Sequence, residues 1–175
     1  LLAGAWYARV PAAALGADGP ALSPGALGAG VGVGVALYLA NEVGATLGER
    51  VGIGGASEFR AALAPDTTRG WLLLLFVVLP VIAGFEELLF RGALVGAMHA
   101  GFGVSPWAMA ALSSLAFAAG HGAQGPAGVA VTGLLGFLLA AAFVLTGSLL
   151  TVVVAHYLVN ALEFLVHEWL DVEFV

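Results

Sequence analysis

From Gly70 to Met98 the chain reads GWLLLLFVVLPVIAGFEELLFRGALVGAM, a run whose only charges are Glu86, Glu87 and Arg91. No other feature narrows the fold as much. A helix of about 20 apolar residues crosses the roughly 30 Å hydrocarbon layer of a bilayer. The rest of the chain agrees with this run. Hydrophobic residues make up 61% of it and charged residues 9%, where soluble domains carry about 25% charge. Mean hydropathy is +1.05. A chain this apolar has little with which to cover a water-facing surface, so the expected class is all-α, a polytopic transmembrane helix bundle.

Measured against the bilayer, about five spans and an N-terminal helical stub are expected. Residues 1–17 read as the end of an earlier helix, followed by a Gly/Pro/Ser-rich linker. A span over 25–47 is rich in small residues, which suit close helix packing in lipid, and its one charge is Glu42. Residues 48–70 are the most polar stretch. There Ser57 ahead of EFRAAL reads as the N-cap of a short amphipathic helix at the membrane surface. A long helix over 70–98 follows. Pro80 should kink it, because proline lacks the N–H and crowds the preceding turn. A short span over 106–120 opens with Ser105 as cap and Pro106 in the first turn. Spans over 125–146 and 148–169 complete the set. The chain thus divides into an N-terminal transmembrane helix and interfacial loop (1–69), a helix bundle (70–169) and an acidic tail (170–175).

Charge and cysteine content exclude several function classes. The five cations are Arg9, Arg50, Arg60, Arg69 and Arg91, against eleven acids, for a net charge of −6. That balance argues against nucleic acid, which needs a basic face. The chain has no cysteine, so it forms no disulfide, thiolate metal site or cysteine nucleophile. It opens at Leu1 without a basic secretory leader, and an N-terminal portion ahead of it is expected.

The polar residues inside the spans demand an explanation. Each buried charge costs about 2.5–3.5 kcal/mol on insertion scales. Glu86, Glu87 and Arg91 together therefore cost roughly 9 kcal/mol, comparable to the net stability of a whole domain. Glu87 and Arg91 are four residues apart, share a helix face and can neutralise each other. Glu86 lies about 100° round the helix with no cation at i+3 or i+4. An unpaired carboxylate in an apolar setting suits general-base chemistry near neutral pH. His156 and Asn160 are also four apart, and His121 stands at the end of a different span. A glutamate, two histidines and an asparagine from three helices form a hydrolytic set: the carboxylate activates water, a histidine orients that water or binds metal, and a histidine and an amide donate to an oxyanion. Other readings stand beside this one. A Glu–Arg pair is commonly scaffolding, and an intramembrane Asn is commonly interhelical glue. His99 and His167 read as satisfied polar groups at helix ends. Intramembrane Glu and His also mark ion or proton paths, but a transporter would carry polar residues along a continuous pore, and the span over 125–146 offers only Thr132 and Thr146. A non-catalytic scaffold or immunity protein of the same fold is the third class.

At these residues the chain resembles a known family. EELLFR (86–91), FAAGH (117–121) and HYLVN (156–160) are similar to the EExxxR, FxxxH and HxxxN motifs of the CPBP family, and they occur in the family's order. That family contains type II CaaX prenyl endopeptidases and bacteriocin-processing or self-immunity (Abi) proteins. The resemblance covers about residues 70–165. It implies an intramembrane endopeptidase, multi-pass in a prokaryotic cell membrane, acting on a membrane-associated, prenylated CaaX-type peptide, with membrane lipid as its other partner. Glu86 matches the family's water-activating glutamate and His121 the histidine that positions the water. His156 and Asn160 match the oxyanion pair, while Glu87, Arg91 and Phe117 match supporting positions. No cofactor is expected. The alternative is zinc held by Glu86, His121 and His156, which would leave an open water position, although no HExxH signature is present. Two features depart from the family. Family members have about eight helices, more than this chain. The arginines of loop 48–70 also favour a cytoplasmic loop, which turns Glu86 outward, whereas the resemblance implies a site open to the cytoplasm.

Overall fold

The computed structural model describes residues 2–50 and 60–172, which form helices, turns and loops without a strand. A six-residue α1 (Leu2–Tyr7) and two 3₁₀ turns (Ala12–Leu15 and Pro20–Leu22) lead into the bundle. The bundle consists of α2 (Pro24–Arg50), α3 (Thr68–Phe102), α4 (Pro106–Gly120), α5 (Gly125–Thr146) and α6 (Leu149–Trp169). Helices α2, α3, α5 and α6 are long and apolar enough to cross a membrane. With 15 residues, α4 is about 22 Å long and falls short of a full crossing. The helix start expected at Ser57 and the last three residues of the acidic tail lie outside the described residues.

Local chemistry sets the helix starts. The Thr67, Ser105 and Ser148 hydroxyls accept from the backbone N–H groups of Gly70, Ala108 and Thr151, which opens α3, α4 and α6 with side-chain caps. At the end of α5, Gly147 takes a left-handed φ of 63° and turns the chain into α6. Pro80 does not break α3. A widened π-helical turn over Leu74–Val78 precedes it, in which the Leu79 N–H reaches back five residues to the Leu74 carbonyl. That turn relieves the crowding a proline ring imposes on the residues before it. A second π-helical stretch runs over Leu88–Ala97, just after the two glutamates. There the Ser113 hydroxyl of α4 donates to the Phe90 carbonyl at 2.8 Å, giving a carbonyl of the widened ladder a partner.

Helices α2 and α6 run parallel and in close contact because glycine lets their backbones approach. A Cβ on Gly30 would stand 2.8 Å from the Thr151 carbonyl oxygen, and one on Gly34 would stand 3.0 Å from the Ala155 backbone. Gly28, on the outer face, has no such neighbour within 4 Å. Gly30→Ala is therefore expected to be less stable than Gly28→Ala by about 1–3 kcal/mol, an overpacking cost from which the shared gain in helix propensity cancels. Thermal unfolding of the two variants in the same detergent measures that gap. Helix α3 runs antiparallel to α6. Trp71 near its start meets Phe164 and Trp169 edge-on, with centroids 6.4 and 5.0 Å away. This pairing sets Glu86 and Glu87, midway along α3, beside the first half of α6.

Candidate active site

Among the described residues, Glu87 and Arg91 are the two largest side chains that are fully sealed, each at 0% exposure. The Arg91 Nη1 donates to Glu87 Oε1 at 2.7 Å, as the four-residue spacing requires. Its Nη2 donates to the Gly136 carbonyl of α5 at 2.7 Å. The guanidinium carbon lies 4.9 Å from the centre of the Phe117 ring, a cation–π contact strengthened by the dry surroundings. One carboxylate, one backbone carbonyl and one aromatic face thus hold the buried cation. Arg91 Nε and Glu87 Oε2 are the atoms of the pair without a hydrogen-bond partner.

The same Glu87 oxygen reaches α6. His156 Nδ1 is 2.7 Å from Glu87 Oε1. Because this oxygen already accepts from Arg91, it is a carboxylate acceptor, and the network assigns the proton to Nδ1. The other ring nitrogen, Nε2, then faces Glu86 Oε2 at 3.7 Å. That gap is too long for a direct hydrogen bond and short enough for both atoms to touch one water oxygen. Glu86 keeps 22% side-chain exposure against 0% for Glu87. Two adjacent glutamates are thereby given different environments, one sealed and paired, the other reachable.

Phe117 is the hub of the site. Its ring packs edge-on against Phe90 and against His156, with centroids 5.1 and 6.0 Å away, and lies 4.5 Å from the His121 ring. His121 sits at the C-cap of α4, where its Nδ1 is 2.8 Å from the Phe117 carbonyl. It joins the cluster through that ring and makes no ion pair with Glu86. Asn160 is half-buried one turn beyond His156 on the same face of α6, with no hydrogen bond from its amide to Glu86, His121 or His156. Glu86, Glu87, Arg91, Phe117 and His156 thus form one connected network, His121 borders it, and Asn160 is linked to it by helix face alone. Among the described residues, the one set of three imidazole or carboxylate donors within metal-ligating reach of one another is Glu42, Glu163 and His167. Glu86, His121 and His156 do not form such a set.

Residue spacing did not point to Gly136. Its carbonyl is the second anchor of Arg91, and a Cβ there would stand 3.0 Å from Phe117 Cδ1 and 3.4 Å from Arg91 Nη2. A glycine deep in an apolar helix was the only available signal. His99 Nδ1 bonds the Val104 carbonyl at 2.8 Å in an exposed turn, a local helix-end contact.

Residues 68–162, more than half of the chain, match the sequence profile described as Rce1-like, type II CAAX prenyl endopeptidase. No curated protein and no solved structure matches the chain.

Proposed function

The chain belongs to the Rce1-like family of type II CAAX prenyl endopeptidases, and on that premise we propose that it hydrolyses a peptide bond in a lipidated, membrane-associated peptide, with Glu86 as the base and no metal at this centre. The observation that carries the reading is the division of labour around His156, whose Nδ1 is fixed by sealed Glu87 while its Nε2 faces reachable Glu86. Glu86 takes a proton from water as the water oxygen adds to the scissile carbonyl carbon. His121 borders the water through the nitrogen not bonded to the Phe117 carbonyl. Negative charge collects on the substrate oxygen, which the Asn160 amide and His156 hold. For that task Nε2 must carry a proton of its own, because the Nδ1 proton is engaged in the hydrogen bond to Glu87. Glu86 then returns its proton to the amide nitrogen as the C–N bond breaks.

The test is cleavage of a prenylated C-terminal peptide by the purified protein in lipid nanodiscs, followed by mass spectrometry, with the same peptide lacking its lipid for comparison. The lipidated peptide is expected to be cut and the unlipidated one to lag. Asn160→Ala should lower kcat by about 10²–10³-fold, the usual cost of one oxyanion donor, with little change in KM. A protein that cuts neither peptide, or an Asn160→Ala variant with wild-type kcat, would overturn the corresponding part of the reading. The non-catalytic scaffold predicts the first of these outcomes.

A further inference from the structure

The second polar cluster of the molecule lies toward the far end of α6 from the site described above. Helix α6 presents His156, Asn160, Glu163 and His167 at intervals of four, three and four residues, along one face. Glu163 and His167 meet Glu42 and Asn41 of α2 and Arg60 of the segment before α3. His167 Nε2 is 2.9 Å from Glu42 Oε1 and 4.0 Å from Glu163 Oε2. The Asn41 amide donates to Glu163 Oε1 at 2.5 Å. Arg60 donates to Glu163 Oε2 at 2.6 Å and to Glu168 Oε1 at 2.8 Å. The charged side chains of this cluster are 12–18% exposed. Two carboxylates, Glu163 and Glu168, therefore share one guanidinium in a mostly buried setting, and a third, Glu42, lies against the His167 imidazole.

We propose that Glu42, Glu163 and His167 form a binding site for a first-row divalent cation, of which zinc fits best, that staples α2 to α6. Four observations support this. Their donor atoms all lie within 4.8 Å of one another, a three-ligand set of one imidazole and two carboxylates. That set suits zinc at 2.0–2.2 Å with a fourth position open. Glu163 is already held from outside by Asn41 and Arg60, as metal-bound carboxylates commonly are. Tyr38, one helical turn before Glu42 on the same face of α2, is 6% exposed, and its hydroxyl has no hydrogen-bond partner. That hydroxyl lies within electrostatic reach of Glu42, Glu163 and Arg60. It is a buried oxygen beside the Glu42 carboxylate, at the edge of the cluster. Because α6 also carries His156 and Asn160, the ion would brace the helix that presents them, without taking part at Glu86.

The experiment measures zinc on the full chain, purified in detergent, stripped with chelator and titrated with zinc chloride by calorimetry, with elemental analysis for stoichiometry. One zinc per chain and a raised unfolding temperature are expected for the wild type. Glu86→Gln should bind zinc unchanged. Asn41→Leu, which removes an outer partner, should weaken binding by about 10–100-fold, and His167→Gln by more. Cobalt(II) added to the stripped wild type should give the visible d–d bands of a four-coordinate N/O site, and zinc should bleach them. This spectrum needs no variant and so stands even where a substitution impairs folding. No zinc bound at micromolar concentrations overturns the proposal. So does zinc that His167→Gln retains, or zinc that Glu86→Gln loses, which would place the ion at the other cluster.

Discussion

Glu86→Gln is expected to lower peptide cleavage by at least about 10²–10⁴-fold, the range a positioned general base supplies, while the protein folds as before. Glutamine keeps the volume and reach of glutamate but cannot accept a proton from water. Glu86 makes no hydrogen bond to Arg91 or Glu87 and joins their network only through His156, whose Nε2 is 3.7 Å away. Stability should therefore move by less than about 1 kcal/mol. The measurement pairs cleavage of the lipidated peptide with thermal unfolding of the same preparation. Loss of cleavage with an unchanged melt assigns the base to Glu86. Cleavage at near wild-type rate removes Glu86 from that role and leaves the buried charges as scaffolding.

Arg91→Met should have the opposite signature, a large loss of stability. Methionine fills most of the space beside Phe117 but leaves the Glu87 carboxylate, at 0% exposure, without its guanidinium and held by His156 Nδ1 alone. Breaking a buried pair from one side typically costs about 3–5 kcal/mol, because a charge is left without compensation. The double variant Glu87→Gln/Arg91→Met removes both charges and should regain much of that loss. Its glutamine oxygen can still accept from His156 Nδ1, so the double variant also tests whether the carboxylate charge, beyond the hydrogen bond, matters for kcat. Unfolding temperatures of the wild type, both single variants and the double variant give the coupling directly. A coupling near zero would mean that the 2.7 Å contact contributes little.

The two glutamates show how far residue spacing reaches. That Glu87 pairs with Arg91 and Glu86 does not was legible from the sequence, because a helix puts residues four apart on one face whatever surrounds it. The same holds for the capped start of α4 at Ser105, where the cap is local chemistry. Nothing local could pair His156 with Glu87, 69 residues away, or Arg91 with the Gly136 carbonyl, 45 residues away. His167 read as a satisfied polar group at a helix end and Glu42 as a lone charge in a span. The fold joins them across 125 residues, a pairing that no local spacing gives. The π-helical turns were invisible as well, since a widened ladder depends on what packs against it, as the Ser113 hydroxyl does at Phe90.

By itself the sequence determined the class of the molecule. Apolar runs of bilayer length leave an all-helical membrane bundle as the solution, and buried ionisable residues at helical spacing mark where chemistry or pairing must occur. Only the tertiary structure decided which glutamate is sealed and which is reachable, and which carboxylates gather around an imidazole. The reason is physical: spacing along a helix is set by its rise and turn, whereas contacts between helices depend on close packing. In this protein that packing is decided by small residues such as Gly30, Gly34 and Gly136, each of which leaves room for a partner distant in sequence.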